Sequence, residues 1–425
     1  MRLTVWFFTA ILLLSMSVST GITKPVGEDL YGPLKRFSQA MDMIERQYVR
    51  DVSRDELING AIRGMLQDLD PHSTFMTADE FKEMRIGTSG EFSGIGIEIS
   101  LRNGRLTVIS PIEDTPAYKA GLKAGDTILE IDGETTQDIT LIEAVRRIRG
   151  PKGSEIVLTI LHKDATAPEK ISINRDTIPI IGAKGEVLED GYLYLRLTRF
   201  HEHTTQEMRQ LINEYSSKHK LEGIVLDLRN NPGGLLDQAV SVADTFLSDG
   251  NVVYIQGRNP KNRKDFNARK SSKDITVPMV VLINAGSASA SEIVAGALQD
   301  HNRALLIGER TFGKATVQSV IPLSDGSGIK LTTALYYTPS GRSIQAEGIV
   351  PDLIYPFEPP REKADNGLHM IREKDLQGHI ENATHAEGAA AGGATEEALE
   401  MLSRDNQLRL ALQLVKKLPD LKAIK

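Results

Sequence analysis

The sequence predicts an α/β multidomain protein with helical segments at both ends. Three patterns carry this. Apolar strand-length runs alternate with helical periodicity over residues 170–357, period-two alternation dominates 91–169, and apolar positions at helical spacing flank both parts. A chain of 425 residues exceeds one ordinary core, so two or three domains are expected. Hydrophobic content of 40% and charged content of 25% suit a soluble globular protein. Fifty basic against 57 acidic side chains leave a formal charge of −7, without a basic stripe, so no nucleic-acid partner is expected. The absence of cysteine excludes disulfides, thiol catalysis and cysteine–zinc sites.

Taken in order, residues 1–24 form an export segment. Arg2 precedes an apolar run to about Val18, and Ser17-Val-Ser19 offers a small-x-small cleavage site. The run is shorter than the roughly 20 residues of a comfortable span, which favours a secretory signal peptide over its alternative, an anchor in the inner membrane. Either way the chain is exported, and a cysteine-free composition suits the bacterial periplasm or cell envelope. Residues 28–90 read as helices, with Leu34, Phe37, Met41, Ile44 and Tyr48 on one stripe and Ile58, Ile62, Met65 and Leu69 on another. Ser53 and Glu56 offer a capping box, and Asp70-Pro71-His72 ends the second helix, with His72 a turn residue. So small a region must dock on itself, on the core or on a second subunit.

Residues 91–169 change to strands, with a helix at 141–148 and a strand at 156–161. Gly94 and Gly96 let the backbone from Ser93 through Ile95 to Ile97 turn its N–H groups towards a terminal carboxylate, and a peptide can then add as a strand beside 95–99. Residues 170–357 carry strands at 191–197, 223–228, 252–256, 279–283 and 304–307. Beyond them, 358–395 is low in complexity and read as a flexible linker. Residues 396–425 resume a helical stripe through Leu399, Leu402, Leu408, Leu412 and Val415, interrupted at Asp405-Asn406. That stripe either packs on the chain's own core or forms an oligomer contact.

The chemistry concentrates at 279–318. A strand, a small-residue turn and a helix place a serine at a helix N-terminus, where N–H groups can hold the oxyanion formed on attack at a carbonyl. Ser287, Ser289 and Ser291 compete for that role, and Ser289 with Glu292 also fits a plain capping box. Lys314 lies in T-F-G-K-A-T-V-Q, a segment with strand-like alternation that points Lys314, Thr316 and Gln318 the same way. It is either an exposed edge lysine or, desolvated beside Phe312, Ala315 and Val317, a neutral amine able to take a serine's proton. D-L-R-N-N-P-G-G at 227–234 is a strand–helix turn.

These residues resemble a known family. N-A-G-S-A-S-A-S-E followed by G-K-A-T-V-Q is similar to the C-terminal processing (tail-specific) serine peptidases, which use a Ser–Lys dyad. By motif position the resemblance makes Ser289 the nucleophile, Lys314 (25 residues on) the general base, and Gln318 the residue that orients the lysine. It implies an oxyanion hole from Ala290 and a glycine of the 227–234 turn, Gly233 or Gly234. A-G-L-K-A-G-D-T-I-L-E-I-D-G at 120–133 resembles a PDZ domain, so the expected architecture is an α/β Ser–Lys peptidase core at 170–357 with an inserted PDZ domain at 91–169. The resemblance further implies protein or peptide substrates with accessible C-termini, a homodimer or higher oligomer through the N-terminal helices, and an adaptor as in some relatives. No cofactor, metal or nucleotide is required.

Other sites are set aside. In Phe200-His201-Glu202-His203 the histidines lack a third ligand, so a solvated loop is expected. Asp227 is expected to end a strand or pair with Arg229, and a Ser–Lys dyad needs no carboxylate from it or Asp237. One of Arg146, Arg147 and Arg149 is expected to contact the peptidase part and report peptide occupancy. The rival readings are an idle PDZ scaffold or chaperone, and acyl-thioester chemistry of the crotonase type, which leaves Ser289 and Lys314 without a role.

Overall fold

A computed structural model describes residues 31–102, 104–163, 165–359 and 394–422, so the expected export segment and most of the expected linker lie outside the described residues. The chain divides into two compact units, 1–75 and 76–425. In the first, helix α1 (Tyr31–Gln47) is tied to α2 (Arg54–Gln67) by Arg54 and Glu45 at 2.5 Å. The expected capping box opens α2: the Ser53 hydroxyl accepts the Glu56 N–H, and the Glu56 carboxylate accepts the Ser53 N–H. Asp70 accepts the N–H groups of His72 and Ser73, which makes His72 a turn residue. Strand β1 (Thr74–Met76) follows.

In the second unit α3 (Ala78–Ser89) ends on Gly90, whose φ of 81° is the left-handed stop that glycine adopts without a Cβ penalty. Strand β2 (Glu91–Gly94) leads to β3 (Ile97–Arg102), β4 (Arg105–Pro111), α4 (Pro116–Lys119), β5 (Thr127–Ile131), β6 (Glu134–Thr135), α5 (Leu141–Ile148), β7 (Glu155–Leu161), β8 (Glu169–Asn174) and β9 (Asp176–Pro179). Strands β3-β4-β5-β7-β8 form an antiparallel sheet with β3 at its edge, around a core of Ile95, Leu106, Val108, Ile128, Ile156, Leu158 and Ile160. Because β8 pairs along β7, this sheet runs past the expected boundary at 169. The chain enters and leaves through paired strands, β2 running antiparallel to β9.

The remaining strands build an α/β core. They are β10 (Ala183–Glu189), β11 (Tyr192–Leu197), β12 (Gly223–Asp227), β13 (Asn251–Gly257), β14 (Arg263–Asn267), β15 (Met279–Ile283), β16 (Leu305–Gly308), β17 (Thr316–Pro322), β18 (Gly328–Tyr337) and β19 (Leu353–Ile354). Helices α6 (Thr204–Ser216), α7 (Leu236–Phe246) and α8 (Ala290–Asp300) intervene, and α9 (Glu396–Arg404) and α10 (Asn406–Lys422) close the chain. The central sheet has the order β10-β11-β12-β15-β16-β19, parallel from β11 onwards. Its strands are apolar on both faces, as a sheet covered on both sides requires. Leu195, Leu226 and Val281 face a core shared with α6, α7 and α8, and Tyr194, Val225, Val280 and Leu282 face the other way.

That second face is covered by Leu408, Ala411, Leu412 and Val415 of α10. The C-terminal stripe therefore packs on the chain's own core. Asp405 breaks the helix and caps α10 by accepting the Leu408 N–H at 2.9 Å. Leu399, half exposed, stands off the stripe. Leu412→Ala should therefore cost about 2–4 kcal/mol in a chemical denaturation series, and Leu399→Ala within about 0.5 kcal/mol. Equal costs at both positions would mean that α10 is not seated on this sheet.

Candidate active site

Parallel pairing sets the site. Strands β12 and β15 lie side by side with Asp227 opposite Leu282, so the turns after their carboxyl ends come together, as at the ligand crevices of open α/β sheets. Asn230 and Asn284 knit them: the Asn230 N–H donates to Asn284 Oδ1 at 2.9 Å, and Asn284 Nδ2 donates to Asn230 Oδ1 at 3.0 Å. The Ala288 N–H donates to the Asn231 carbonyl at 3.0 Å.

Two of the three competing serines are structural. The buried Ser287 hydroxyl donates to the Leu228 carbonyl at 2.8 Å, and the buried Ser291 hydroxyl donates to the Asn231 carbonyl at 2.9 Å. Ser289 between them is half-buried and holds φ 55°, ψ −112°, a conformation that costs a non-glycine residue about 1–3 kcal/mol and persists only where its surroundings enforce it.

Glu292 enforces it. Its side chain, 0% exposed, accepts the Ser289 N–H at 2.8 Å and the Lys314 N–H at 2.9 Å on Oε2. Oε1 accepts the Thr311 hydroxyl at 2.6 Å and the Gly313 N–H at 2.7 Å. Burial raises the pKa of this carboxyl, and the four donors oppose that rise. From the other side the Tyr336 hydroxyl, kept protonated by burial and the nearby Glu292 charge, donates to the carbonyls of Ser289 (3.0 Å) and Lys314. The Ser289 turn and the Lys314 segment are thus fixed to each other at two points.

The lysine segment differs from the expected strand. Strand β17 begins at Thr316, and its register shifts between Val317 and Gln318. Lys314 therefore lies in the irregular stretch before the strand, half-buried. The backbone there is held by side chains: Gln345 Oε1 accepts the Ala315 N–H at 2.8 Å, and Glu292 holds Gly313 and Lys314. The Gln318 amide donates to the hydroxyls of Thr316 (2.9 Å) and Thr332 (3.3 Å).

The glycine turn approaches from the β12 side. A Cβ on Gly233 would stand 2.9 Å from both Ala290 N and Ser289 Cβ, so only glycine fits. The Gly233 N–H donates to Asn231 Oδ1 at 2.9 Å, whereas no acceptor appears among the described residues for the N–H groups of Gly234 and Ala290. Asp227 is buried, accepts the Tyr194 hydroxyl at 2.8 Å, and pairs with Arg229 at 2.7 Å. Arg229 reaches on to Asp405 at 2.6 Å and Gln407 at 2.8 Å, so the C-terminal helices help hold this turn.

At the second candidate site Ile95 is fully buried, and Gly96 has φ 80°; a Cβ there would meet that of Thr115 at 2.3 Å. The Gly96 carbonyl accepts the Ile112 N–H at 2.9 Å, and the Ser93 hydroxyl is buried without a partner among the described residues. Edge strand β3 runs from Ile97 next to this turn, open on the side away from β4. Of the three arginines, Arg146 and Arg147 pair with Glu143 and Glu134, while Arg149 pairs with Glu83 of α3 and stacks 5.0 Å from the Phe92 ring.

Sequence reasoning read Glu292 only as a helix cap, and it missed Asn231, Asn284 and Tyr336. It was wrong at His201, which is fully buried. No group of metal-ligating residues occurs among the described residues.

Three family models match the chain: peptidase family S41 over 191–355, a PDZ domain over 107–161, and the N-terminal domain of the activating protease CtpB over 17–80. A carboxy-terminal-processing protease of Bartonella bacilliformis is 46% identical over 395 residues, covering 91% of this chain and 90% of the relative. Carboxy-terminal processing protease CtpA of Bacillus subtilis is 36% identical over 79% of this chain and 70% of its own. Among solved structures, a photosystem II D1 C-terminal processing protease is 32% identical over 75% of this chain and 92% of its own, with a TM-score of 0.44.

A raised pKa means that Glu292 takes up a proton on acidification before ordinary glutamates do, and one of its four donors then loses its acceptor. The sign for stability is the reverse, because a raised folded-state pKa favours the folded state as pH falls through it. Activity should therefore fall reversibly on the acid side, from above the ordinary glutamate range, while the stability of wild type relative to Glu292→Gln increases. Paired pH–rate and melting curves read both, and parallel losses would rule out this role.

Proposed function

Since this chain belongs to the carboxy-terminal processing proteases of peptidase family S41, serine peptidases with a PDZ domain, we propose that it cuts with a Ser289–Lys314 dyad. The observation that carries the proposal is the shared Glu292 carboxylate, which holds the backbones of Ser289 and Lys314 on one oxygen. A neutral Lys314 amine takes the proton of the Ser289 hydroxyl as its oxygen bonds to the substrate carbonyl carbon. The oxyanion is held by the N–H groups of Ala290 and Gly234, since that of Gly233 is engaged by Asn231. Lys314 then gives its proton to the leaving amine, and water releases the acyl group from Ser289. Gln318, anchored by Thr316 and Thr332, orients the lysine.

Substrates arrive by their C-termini. The turn from Ser93 through Gly94, Ile95 and Gly96 to Ile97 receives the terminal carboxylate, and the tail adds to the open edge of β3 beside α5. We place the enzyme outside the cytoplasm, in the periplasm or cell envelope, exported or anchored by residues 1–24. A homodimer or higher oligomer is in keeping with the exposed Leu34, Phe37 and Ile44 of α1 and Tyr48 just after it, and an adaptor would deliver substrates. The idle-scaffold reading is weaker, because a binding module has no use for a strained Ser289.

Degradation of an unfolded protein with an apolar C-terminus tests the dyad. Ser289→Ala and Lys314→Ala should each lower kcat at least about 10³-fold with tail binding kept, and Gln318→Ala should lower it less. Wild-type binding without any cutting would favour the scaffold. Gly96→Ala, strained and short of space, should instead raise KM for tailed substrates about tenfold with kcat retained. An unchanged KM would remove this turn from substrate binding.

A further inference from the structure

We infer that His201 is a positioning residue that ties the joint of the PDZ domain to the glycine turn of the active site. The inference rests on the reading of that turn as the oxyanion hole. Three consecutive residues make the link. Phe200 holds the turn: its N–H donates to the Gly233 carbonyl at 3.1 Å, and its carbonyl accepts the Leu235 N–H at 2.8 Å. A Cβ on Gly234 would lie 2.0 Å from that carbonyl, so the two backbones are in direct contact. The Glu202 N–H donates to the carbonyl of Thr88, at the end of α3, at 3.0 Å.

Between them, His201 is 0% exposed and its ring fills the joint itself. The chain enters the PDZ domain past Gly90 and leaves it past Gly182, and these crossings are stitched by the Ile180 N–H on the Gly90 carbonyl at 2.8 Å. A Cβ on Gly90 would stand 2.2 Å from His201 Nδ1, and one on Gly182 would stand 2.4 Å from Nε2. The imidazole is thus a wedge between the two crossings, each of which is glycine where it touches the ring.

The polar atoms of the ring are set for this place. Nδ1 accepts the His203 N–H at 3.2 Å, which puts the hydrogen of the neutral ring on Nε2. Burial lowers the His201 pKa, so the neutral form is the resident one. Among the described residues Nε2 makes no hydrogen bond of normal geometry, with the Ile180 carbonyl beside the ring and Glu207 Oε1 3.7 Å away. The other oxygen of Glu207 accepts the N–H groups of Gly182 (2.8 Å) and Ala183 (3.0 Å), so the same carboxylate that faces the ring pins the outgoing crossing. The PDZ domain has its own core, separate from those of the peptidase part. A turn of that body about its paired crossings must push on the ring, and through Phe200 on Gly233 and Gly234.

The test compares one unfolded model protein bearing an apolar tail with a free C-terminus and with the same tail amidated. In wild type the free tail should be cut faster. His201→Ala should lower kcat on the free tail about tenfold, with KM and tail-peptide affinity within about twofold, and should bring the free-to-amidated ratio close to one. His201→Phe, which refills the space between the glycines, should restore most of that ratio. A wild-type ratio in His201→Ala overturns the inference, and so does an equal loss on both substrates that His201→Phe leaves uncorrected. If melting curves show that His201→Ala does not fold, His201→Asn supplies the reduced wedge and is judged by the same ratio. Ser289→Ala run in parallel keeps the two readings apart, since cutting that survives it removes the dyad and leaves the result at His201 to be judged alone.

Discussion

One buried carboxylate sets the geometry on which everything else depends. Glu292 is shut off from bulk solvent, so its charge is supportable only because four donors converge on its two oxygens. Those donors come from two segments that are remote in sequence, the serine turn and the stretch before β17. Satisfying the charge therefore fixes one segment against the other. Removal of one donor would leave a buried charge under-satisfied, which makes the arrangement stiff as well as specific. The left-handed Ser289 backbone is the strain that this rigidity supports.

A second buried charge plays the matching part on the glycine side. Asp227 ends β12, and Arg229 folds back on it and then spans to Asp405 and Gln407. Burial alone would lower the Arg229 pKa, but the two carboxylates outweigh it and raise it, so the guanidinium stays charged. The helices on the far face of the central sheet are thereby joined to the glycine turn that follows β12. Seating α10 and holding D-L-R-N-N-P-G-G in place are two aspects of one packing arrangement.

Much of this was legible in the sequence because local chemistry and global role agree there. The fully buried strand Met279–Ile283, helix Leu141–Ile148 and the Ser53–Glu56 capping box follow from period and capping alone. So does the pairing of Asp227 with Arg229, two residues apart. What periodicity could not give was anything decided across the chain. Lys314 sits in a pattern that alternates like a strand, yet its N–H is claimed by Glu292, and the ladder starts two residues later. His201 stands in a polar tetrapeptide and is buried because Gly90 and Gly182, far away in sequence, leave a space the shape of its ring. Periodicity left the three serines unranked, and only the family resemblance singled out Ser289; what separates them physically is which carbonyls of the neighbouring turn accept their hydroxyls.

The way the PDZ domain is inserted limits how it can act. Its core closes on itself, and its sheet ends at β3 and β8 without joining the central sheet. Among the described residues that body is attached through the β2–β9 pair, Arg149 on Glu83, Glu207 on the N–H groups of Gly182 and Ala183, and the contacts of residues 200–202. Of these, the Arg149–Glu83 pair is partly exposed, with Glu83 the more open partner, and an ion pair that water can screen is worth roughly 0–1 kcal/mol, too little to move a packed turn. The β2–β9 pair joins the two crossings to each other. A buried ring in van der Waals contact with both crossings differs from either, because packed interiors do not deform continuously and a displaced wedge must displace its neighbours. Sterics at one histidine are therefore better suited than surface charge to carry the position of the PDZ domain to the glycine turn.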